Sequence, residues 1–189
     1  GWVAAIAAGQ LALAVEVIAV LADRLDDDNA ALLLEIWLQQ TPRDGAIPGL
    51  LGNRRALAWA ERLRRSLIAG EGDADLSALL LPLLGHQREP ADFPLLRSSL
   101  LEPGPLALRL AALDGLQRGL SSWPLEPLRQ SLLAAALDLQ PRLAAEAIDA
   151  LSRLPGAEAD LRLLQARDLD PELQERLQRR LQQSGISLA

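Results

Sequence analysis

An arginine that recurs at one position of a sequence repeat is the strongest candidate for chemistry in this chain. Leucine–arginine pairs at 96–97, 128–129 and 161–162 follow one another at steps of 32 and 33 residues. A guanidinium presents a planar fork of N–H donors, which fits two oxygens of a carboxylate or phosphate. The repeat therefore predicts a partner-binding row formed by Arg97, Arg129 and Arg162, suited to an acidic segment of another protein.

The alternative is a structural role for the same three arginines. Each could lay its aliphatic stem over leucine and pair with a nearby acid, such as Glu126 or Asp160. The two interpretations differ in what they predict for the folded chain. A binding row requires exposed guanidiniums, whereas the structural role requires arginines that are already paired.

Residues arranged for catalysis or for metal binding are not found in the sequence. His86 is the only histidine and there is no cysteine, so neither a catalytic histidine pair nor a thiolate site can form. The acidic run at 26–28 lacks the glycine turn and distal glutamate of a calcium loop. Other acids occur one per helix without a visible partner: Asp114, Asp138, Glu146 and Asp149. We therefore predict no catalytic residue, metal or cofactor, which favours a protein that is not an enzyme.

Charge indicates protein partners rather than nucleic acid. The chain carries a net charge of −6, although all 19 of its basic residues are arginine. Binding to a phosphate backbone requires a basic surface, which an acidic chain does not provide overall. The most basic stretch lies within 53–69, where arginine alternates with Leu and Trp at positions 54, 55, 62, 64 and 65. We interpret that stretch as a solvated arginine face over a packed leucine face.

The elements that position these residues are predicted to be helices alone. About a quarter of the chain is leucine, and no Val, Ile or Thr occurs between Leu76 and Ala147. Sheets depend on such β-branched residues, whereas Leu, Ala, Arg, Glu and Gln favour helices. The fold class is therefore predicted to be all-α.

A helical repeat begins near residue 75. Four segments carry an apolar residue at their first, fifth and ninth positions, which places those side chains on one helix face. The segments are 76–84, 108–116, 143–151 and 173–181. Between them lie further helical segments at 93–101, 126–137 and 157–165. Helical pairs of this length cannot bury a core alone and are predicted to stack.

Two of the repeat segments resemble a known family. Residues 137–151 (LDLQPRLAAEAIDAL) resemble a HEAT repeat of the bilin-lyase type, and residues 168–173 (DLDPEL) resemble the opening of the next one. The family's Val-Arg pair is matched at Leu108-Arg109 but not in the other three segments. The resemblance implies an α-solenoid of stacked antiparallel helical pairs, in which the second helix of each pair lines the concave surface.

Two regions follow from this organisation. Residues 1–72 are predicted to form N-terminal helices packed on the solenoid, and residues 73–189 to form the HEAT-like repeats with a polar C-terminal cap. Residues 2–22 are apolar almost throughout, long enough to span a membrane, but interrupted by Glu16. We predict one helix buried inside the stack, with membrane attachment as the alternative, and a cytoplasmic protein.

These observations favour a non-catalytic interaction scaffold or adaptor that binds another protein on its concave helical face. The resemblance also implies an alternative, a bilin lyase or chaperone-like protein that holds a tetrapyrrole or a phycobiliprotein. Phe93 and Trp123 are the only groove aromatics available for that role. A DNA-repair glycosylase of HEAT-like fold is a third possibility, but it would require a basic groove.

Overall fold

The computed structural model of the chain describes residues 1–40, 43–51, 57–69 and 73–186, and these ranges are helical without any strand. The prediction of an all-α fold is therefore confirmed. The helices found in these ranges are α1 (Trp2–Ala7), α2 (Val15–Leu21), α3 (Asp27–Leu38), α4 (Ile47–Leu51), α5 (Leu57–Ala69), α6 (Ala74–Gln87), α7 (Phe93–Leu101), α8 (Leu106–Arg118), α9 (Leu125–Ala136), α10 (Pro141–Leu151), α11 (Ala157–Gln165) and α12 (Pro171–Ile186).

The apolar N-terminal run is not the single buried helix that its composition predicts. It divides into α1 and α2 because Gly9 adopts a left-handed conformation, with φ of +70°, that ends the first helix. Ile6 and Ile18 are buried, whereas the side chains of Trp2 and Val20 are largely exposed. Within the described ranges, no helix has both the length and the apolar character needed to cross a bilayer.

From the sequence, Asn29 is predicted to cap a helix beginning at Ala30 and residues 41–52 to form a loop, and the structure differs at both places. Asp26, rather than Asn29, caps α3, because its carboxylate accepts a 2.8 Å hydrogen bond from the backbone N–H of Asn29. The segment expected to be a loop, 41–52, contains the short helix α4 with Ile47 and Leu51 in the core. Residues 41, 42 and 52–56, which include two arginines of the basic stretch, lie outside the described residues.

The repeat segments from residue 76 onward are helical as predicted. The helices α7 and α11 have the predicted bounds, and α8, α10 and α12 extend the predicted segments by a few residues. The first, fifth and ninth positions of the four segments, twelve residues in all, form the seam between packed helices. Ten of them are buried, and Leu108 and Leu181 are half-buried. The apolar spacing therefore identified the packed face of each of these helices.

The helices contact one another in a regular order. α7 packs along α8, α9 along α10 and α11 along α12, while α6 makes smaller contacts with α7 and α10 with α11. The even-numbered helices also touch in sequence, α6 to α8 to α10 to α12, and so do α7, α9 and α11. A single apolar core runs from Ile6 to Leu177 and contains Trp37, Trp59 and Trp123.

The closest helix crossing lies between α6 and α8. A Cβ atom added to Gly85 would overlap the backbone of Gly115, and one added to Gly115 would lie 2.7 Å from the carbonyl oxygen of Leu81. Only glycine permits two backbones to approach so closely. Gly85, which sequence alone suggested as the end of a helix, therefore lies within α6 as the point of contact. His86 accordingly belongs to the same helix.

Candidate partner-binding surface

Arg97 lies on α7 with its side chain exposed. The helix begins with Phe93 and Pro94, and its buried residues Phe93, Leu96 and Leu100 turn the following position toward solvent. Among the described residues, no carboxylate forms an ion pair with Arg97. Its guanidinium is therefore available to a group from outside the chain.

Arg129 is held inside the fold. Its side chain is 23% exposed, and its Nε atom lies 3.0 Å from the Asp160 carboxylate, which is almost completely buried on α11. The Nη2 atom donates a 2.5 Å hydrogen bond to the carbonyl oxygen of Pro155. Nη1 lies 3.8 Å from Glu126. These are the two acids that the structural interpretation names, and through them Arg129 joins α9 to the α10–α11 turn.

The same turn explains why Arg129 can reach its backbone acceptor. Gly156 caps α11 in a left-handed conformation with φ of +71°, and a Cβ atom there would lie 3.1 Å from Nη2 of Arg129. A side chain at this position would therefore crowd the guanidinium as well as strain the turn. The turn and the arginine form one packed unit.

Arg162, on α11, is exposed, as Arg97 is. Its side chain is 70% exposed and donates a 2.5 Å hydrogen bond from Nη2 to Glu158, one helical turn earlier. Exposed pairs of this kind contribute little to stability and exchange readily with other partners. Leu163, beside it in sequence, leaves 64% of its surface in water. Arg162 and Leu163 together offer a charged fork next to an apolar side chain.

The three arginines therefore occupy equivalent sequence positions but not equivalent environments. Arg97 and Arg162 are exposed on helices that flank α9, whereas Arg129 between them is used for packing. α7 and α11 each contact α9, so the two exposed arginines belong to one run of neighbouring helices. Two of the three guanidiniums, those of Arg97 and Arg162, are therefore exposed, and that of Arg129 is not.

Apart from Arg129–Asp160, sequence-based reasoning did not identify the ion pairs that connect helices of the repeat region. Arg109 on α8 donates a 2.5 Å hydrogen bond to Asp138 in the α9–α10 turn. Asp149 on α10 accepts hydrogen bonds from both Arg176 and Arg180 on α12, at 2.5 and 2.9 Å. The signal was present as Arg–Asp separations of 27–31 residues, close to the repeat length.

These ion pairs change the acidity of their carboxyl groups. Burial alone would raise the pKa of Asp149, but hydrogen bonds from Arg176 and Arg180 outweigh it and lower the pKa to about 2. The hydrogen bond from Arg109 likewise lowers the pKa of Asp138. Both carboxylates are thus stabilised in their charged form and do not act as proton donors near neutral pH.

The other candidate acids also have arginine partners. Asp114 accepts hydrogen bonds from Arg118 at 3.0 and 3.1 Å, and Glu146 pairs with Arg142 at 3.4 Å. His86 is half-buried on α6. Within the described ranges, no three His, Asp or Glu side chains are grouped as metal ligands.

The two aromatic residues considered for a tetrapyrrole pack in the core. Phe93 and Trp123 are buried with ring centroids 6.1 Å apart, and the Trp123 Nε1 atom donates a 2.8 Å hydrogen bond to the carbonyl of Leu116. The indole also lies against Gly119, where a Cβ atom would overlap it. Neither ring is presented to a ligand.

Comparison of the chain with protein-family models, with curated proteins and with solved structures gives no match.

Proposed function

We propose that the chain is a short HEAT-like α-solenoid that acts as a non-catalytic interaction scaffold, with a partner protein bound across α7, α9 and α11. The observation that carries this proposal is the exposure of Arg97 on α7 and Arg162 on α11, the two helices that contact α9, while Arg129 on α9 is occupied. Charged side chains that are exposed on a packed helical surface and contribute little to folding are suited to binding a partner protein.

The order of helix contacts supports the solenoid part of the proposal. The helices contact in the pairs α7–α8, α9–α10 and α11–α12, and each helix also contacts the helix two positions along, as expected when helical pairs are stacked. Inter-helix ion pairs recur at similar intervals along the same region. Both features, together with the resemblance of residues 137–151 to a HEAT repeat, favour a repeat stack.

The partner is proposed to carry an acidic segment with at least one apolar side chain. Arg97 and Arg162 would each bind a carboxylate through a forked pair of hydrogen bonds. Leu163 would contribute apolar contact next to the second fork. The occupied Arg129 would lie below the bound segment and hold α9 in place, so its effect on binding would be indirect.

The test compares the double substitution Arg97→Glu/Arg162→Glu with Arg142→Glu. Arg142 is a matched control because its side chain is 72% exposed and pairs with Glu146 one turn away, as Arg162 pairs with Glu158. Both variants should keep the helical circular dichroism of the wild type, since exposed ion pairs add little stability.

Affinity capture from the native host identifies a partner, and titration of that partner in purified form measures how each substitution changes its affinity. A partner retained by the wild type and by Arg142→Glu should bind the double variant at least about tenfold more weakly. Its binding to the wild type should also weaken as salt rises. Equal affinity of the double variant would contradict the proposal.

The tetrapyrrole alternative finds less support in the same geometry. The grooves at the α10–α12 and α11–α12 contacts are lined mainly by charged and amide side chains, including Arg142, Glu172 and Glu158. Such walls suit polar groups better than a largely apolar macrocycle. Titration with free bilin, followed by absorbance, distinguishes the two functions, because a scaffold should leave the bilin spectrum unchanged.

A further inference from the structure

A groove of about 510 Å³ lies between the end of α3, one side of α5 and the start of α6. Among the described residues, three arginines line it, Arg43, Arg62 and Arg65, and one carboxylate, Asp73, which lies 3.4 Å from Nη1 of Arg43. The remaining wall is formed by Leu38, Ser66, Ala69 and Leu76. Three guanidiniums around one groove are notable in a chain whose net charge is −6.

Two of these arginines, Arg43 and Arg62, are held in place by contacts within the chain. Arg43 donates from Nε and Nη2 to the carbonyl oxygen of Leu38, each at 3.1 Å, and its guanidinium lies 5.9 Å from the Trp37 ring centroid. Arg62 on α5 is held by an ion pair with Glu35 on α3. Both guanidiniums are thus oriented before any ligand arrives, which reduces the entropy lost on binding.

Arg65, by contrast, is not held in place by an ion pair with a described residue. It lies on α5 one residue before the buried Ser66, its side chain is exposed, and it forms no ion pair with a carboxylate of the described residues. Arg64, its neighbour on the same helix, donates two hydrogen bonds to the carboxylate of the buried Asp92. The arginine-rich stretch is therefore not one uniformly solvated face, because Arg62 and Arg64 form ion pairs with Glu35 and Asp92 whereas Arg65 is exposed.

We infer that this groove binds a small organic phosphate. A phosphate monoester carries close to two negative charges and several acceptor oxygens, which match the forked donors of more than one guanidinium. Asp73 pairs with Arg43 and Glu35 pairs with Arg62, so a bound dianion would mainly balance the remaining charge of Arg65. Leu38, Ala69 and Leu76 provide apolar contact for the organic part. This site is separate from the surface of α7, α9 and α11.

Isothermal titration of the full chain with phenyl phosphate, inorganic phosphate and succinate at constant ionic strength tests the inference. Phenyl phosphate should bind most tightly, because it combines the dianion with an apolar body, and inorganic phosphate should compete with it. Substitution Arg65→Glu should weaken phenyl phosphate binding at least about tenfold, the loss expected for one charge-assisted hydrogen bond. Arg142→Glu, on a different helix, should change it less than about twofold.

Three results would overturn the inference. They are a lack of saturable phosphate binding to the wild type, equal binding by Arg65→Glu, and binding of succinate as tight as that of phenyl phosphate. Circular dichroism of each variant checks that the fold is intact, and Arg65→Gln provides a milder substitution if Arg65→Glu fails to fold. Failure here would leave the proposed scaffold function intact, since the two surfaces share no residue.

Discussion

The glycine crossing between α6 and α8 makes a quantitative prediction about stability. Substitution Gly85→Ala would place a methyl group inside van der Waals contact with the backbone of Gly115. Backbone atoms cannot move aside as a flexible side chain can, so the two helices must separate. Because α6 and α8 share the most extensive contact in the described chain, their separation would disturb the seam residues Leu84, Ala112 and Leu116 together.

The expected cost follows from two opposing effects. Overpacking a close contact destabilises by about 1–3 kcal/mol, and the backbone contact places Gly85→Ala at the upper end of that range. Alanine in a helix interior regains about 1 kcal/mol of helix propensity over glycine. The net loss should therefore be about 2 kcal/mol. Gly115→Ala should cost less, because its Cβ atom would lie 2.7 Å from Leu81 O, about 0.7 Å short of ordinary contact.

Urea unfolding followed by circular dichroism measures the unfolding free energy of each variant relative to the wild type, with Gly49→Ala as the control. Gly49 lies in α4 with no atom within 4 Å of its added Cβ atom, so alanine there should be neutral or slightly stabilising. The reasoning would be refuted if Gly85→Ala were as stable as the wild type, or if Gly115→Ala proved the more damaging of the two.

The remaining predictions concern acid, the core and the terminal helix. The pKa of Asp149 is lowered to about 2 and that of Asp138 is lowered as well, so their ionised forms contribute stability above about pH 4. That stability should be lost as pH falls from about 4 toward about 2, and Asp149→Asn should flatten this decline in acid-titration unfolding. Leu151→Ala, at a fully buried seam position, should lower the unfolding free energy by roughly 2–5 kcal/mol in urea, and a loss below about half a kcal/mol would show that the packed register is wrong. Deleting α12 should expose the apolar faces of α10 and α11 and cause aggregation in light scattering, whereas a soluble and equally stable truncation would contradict its role as a cap.

Apolar spacing predicted the repeat helices well because their buried faces depend only on residues within one helix. The first, fifth and ninth positions of α10, for example, are Leu143, Ala147 and Leu151, and all three are fully buried. The spacing of apolar residues within one helix is enough to predict its buried face where a continuous apolar stripe must pack against a neighbouring helix. The same reasoning failed at residues 2–22, where the left-handed Gly9 ends α1 before the apolar pattern ends.

The glycine crossing could not be predicted from Gly85 alone. A glycine inside a leucine-rich run is compatible with a helix end or with a close helix contact, and only the partner distinguishes them. Gly115 follows Gly85 by 30 residues, which is near the repeat length, so the pair could have been recognised once the repeat was known. Ala112 and Ala147, the small residues at the middle positions of two repeat segments, are buried in the seam but do not form the glycine crossing.

The recurrence of Arg97, Arg129 and Arg162 shows why equal sequence positions need not have equal roles. Arg129 pairs with Asp160, the residue that immediately precedes Leu161-Arg162 on the next helix of the run. The equivalent position before Leu128-Arg129 is Pro127, which offers no carboxylate to Arg97. Arg162 has no further helix of the run beyond it within the described residues, and it pairs only with Glu158 on its own helix. The residue one repeat later therefore decides whether an arginine is used for packing or remains exposed, and the two that remain exposed are those to which partner binding is assigned.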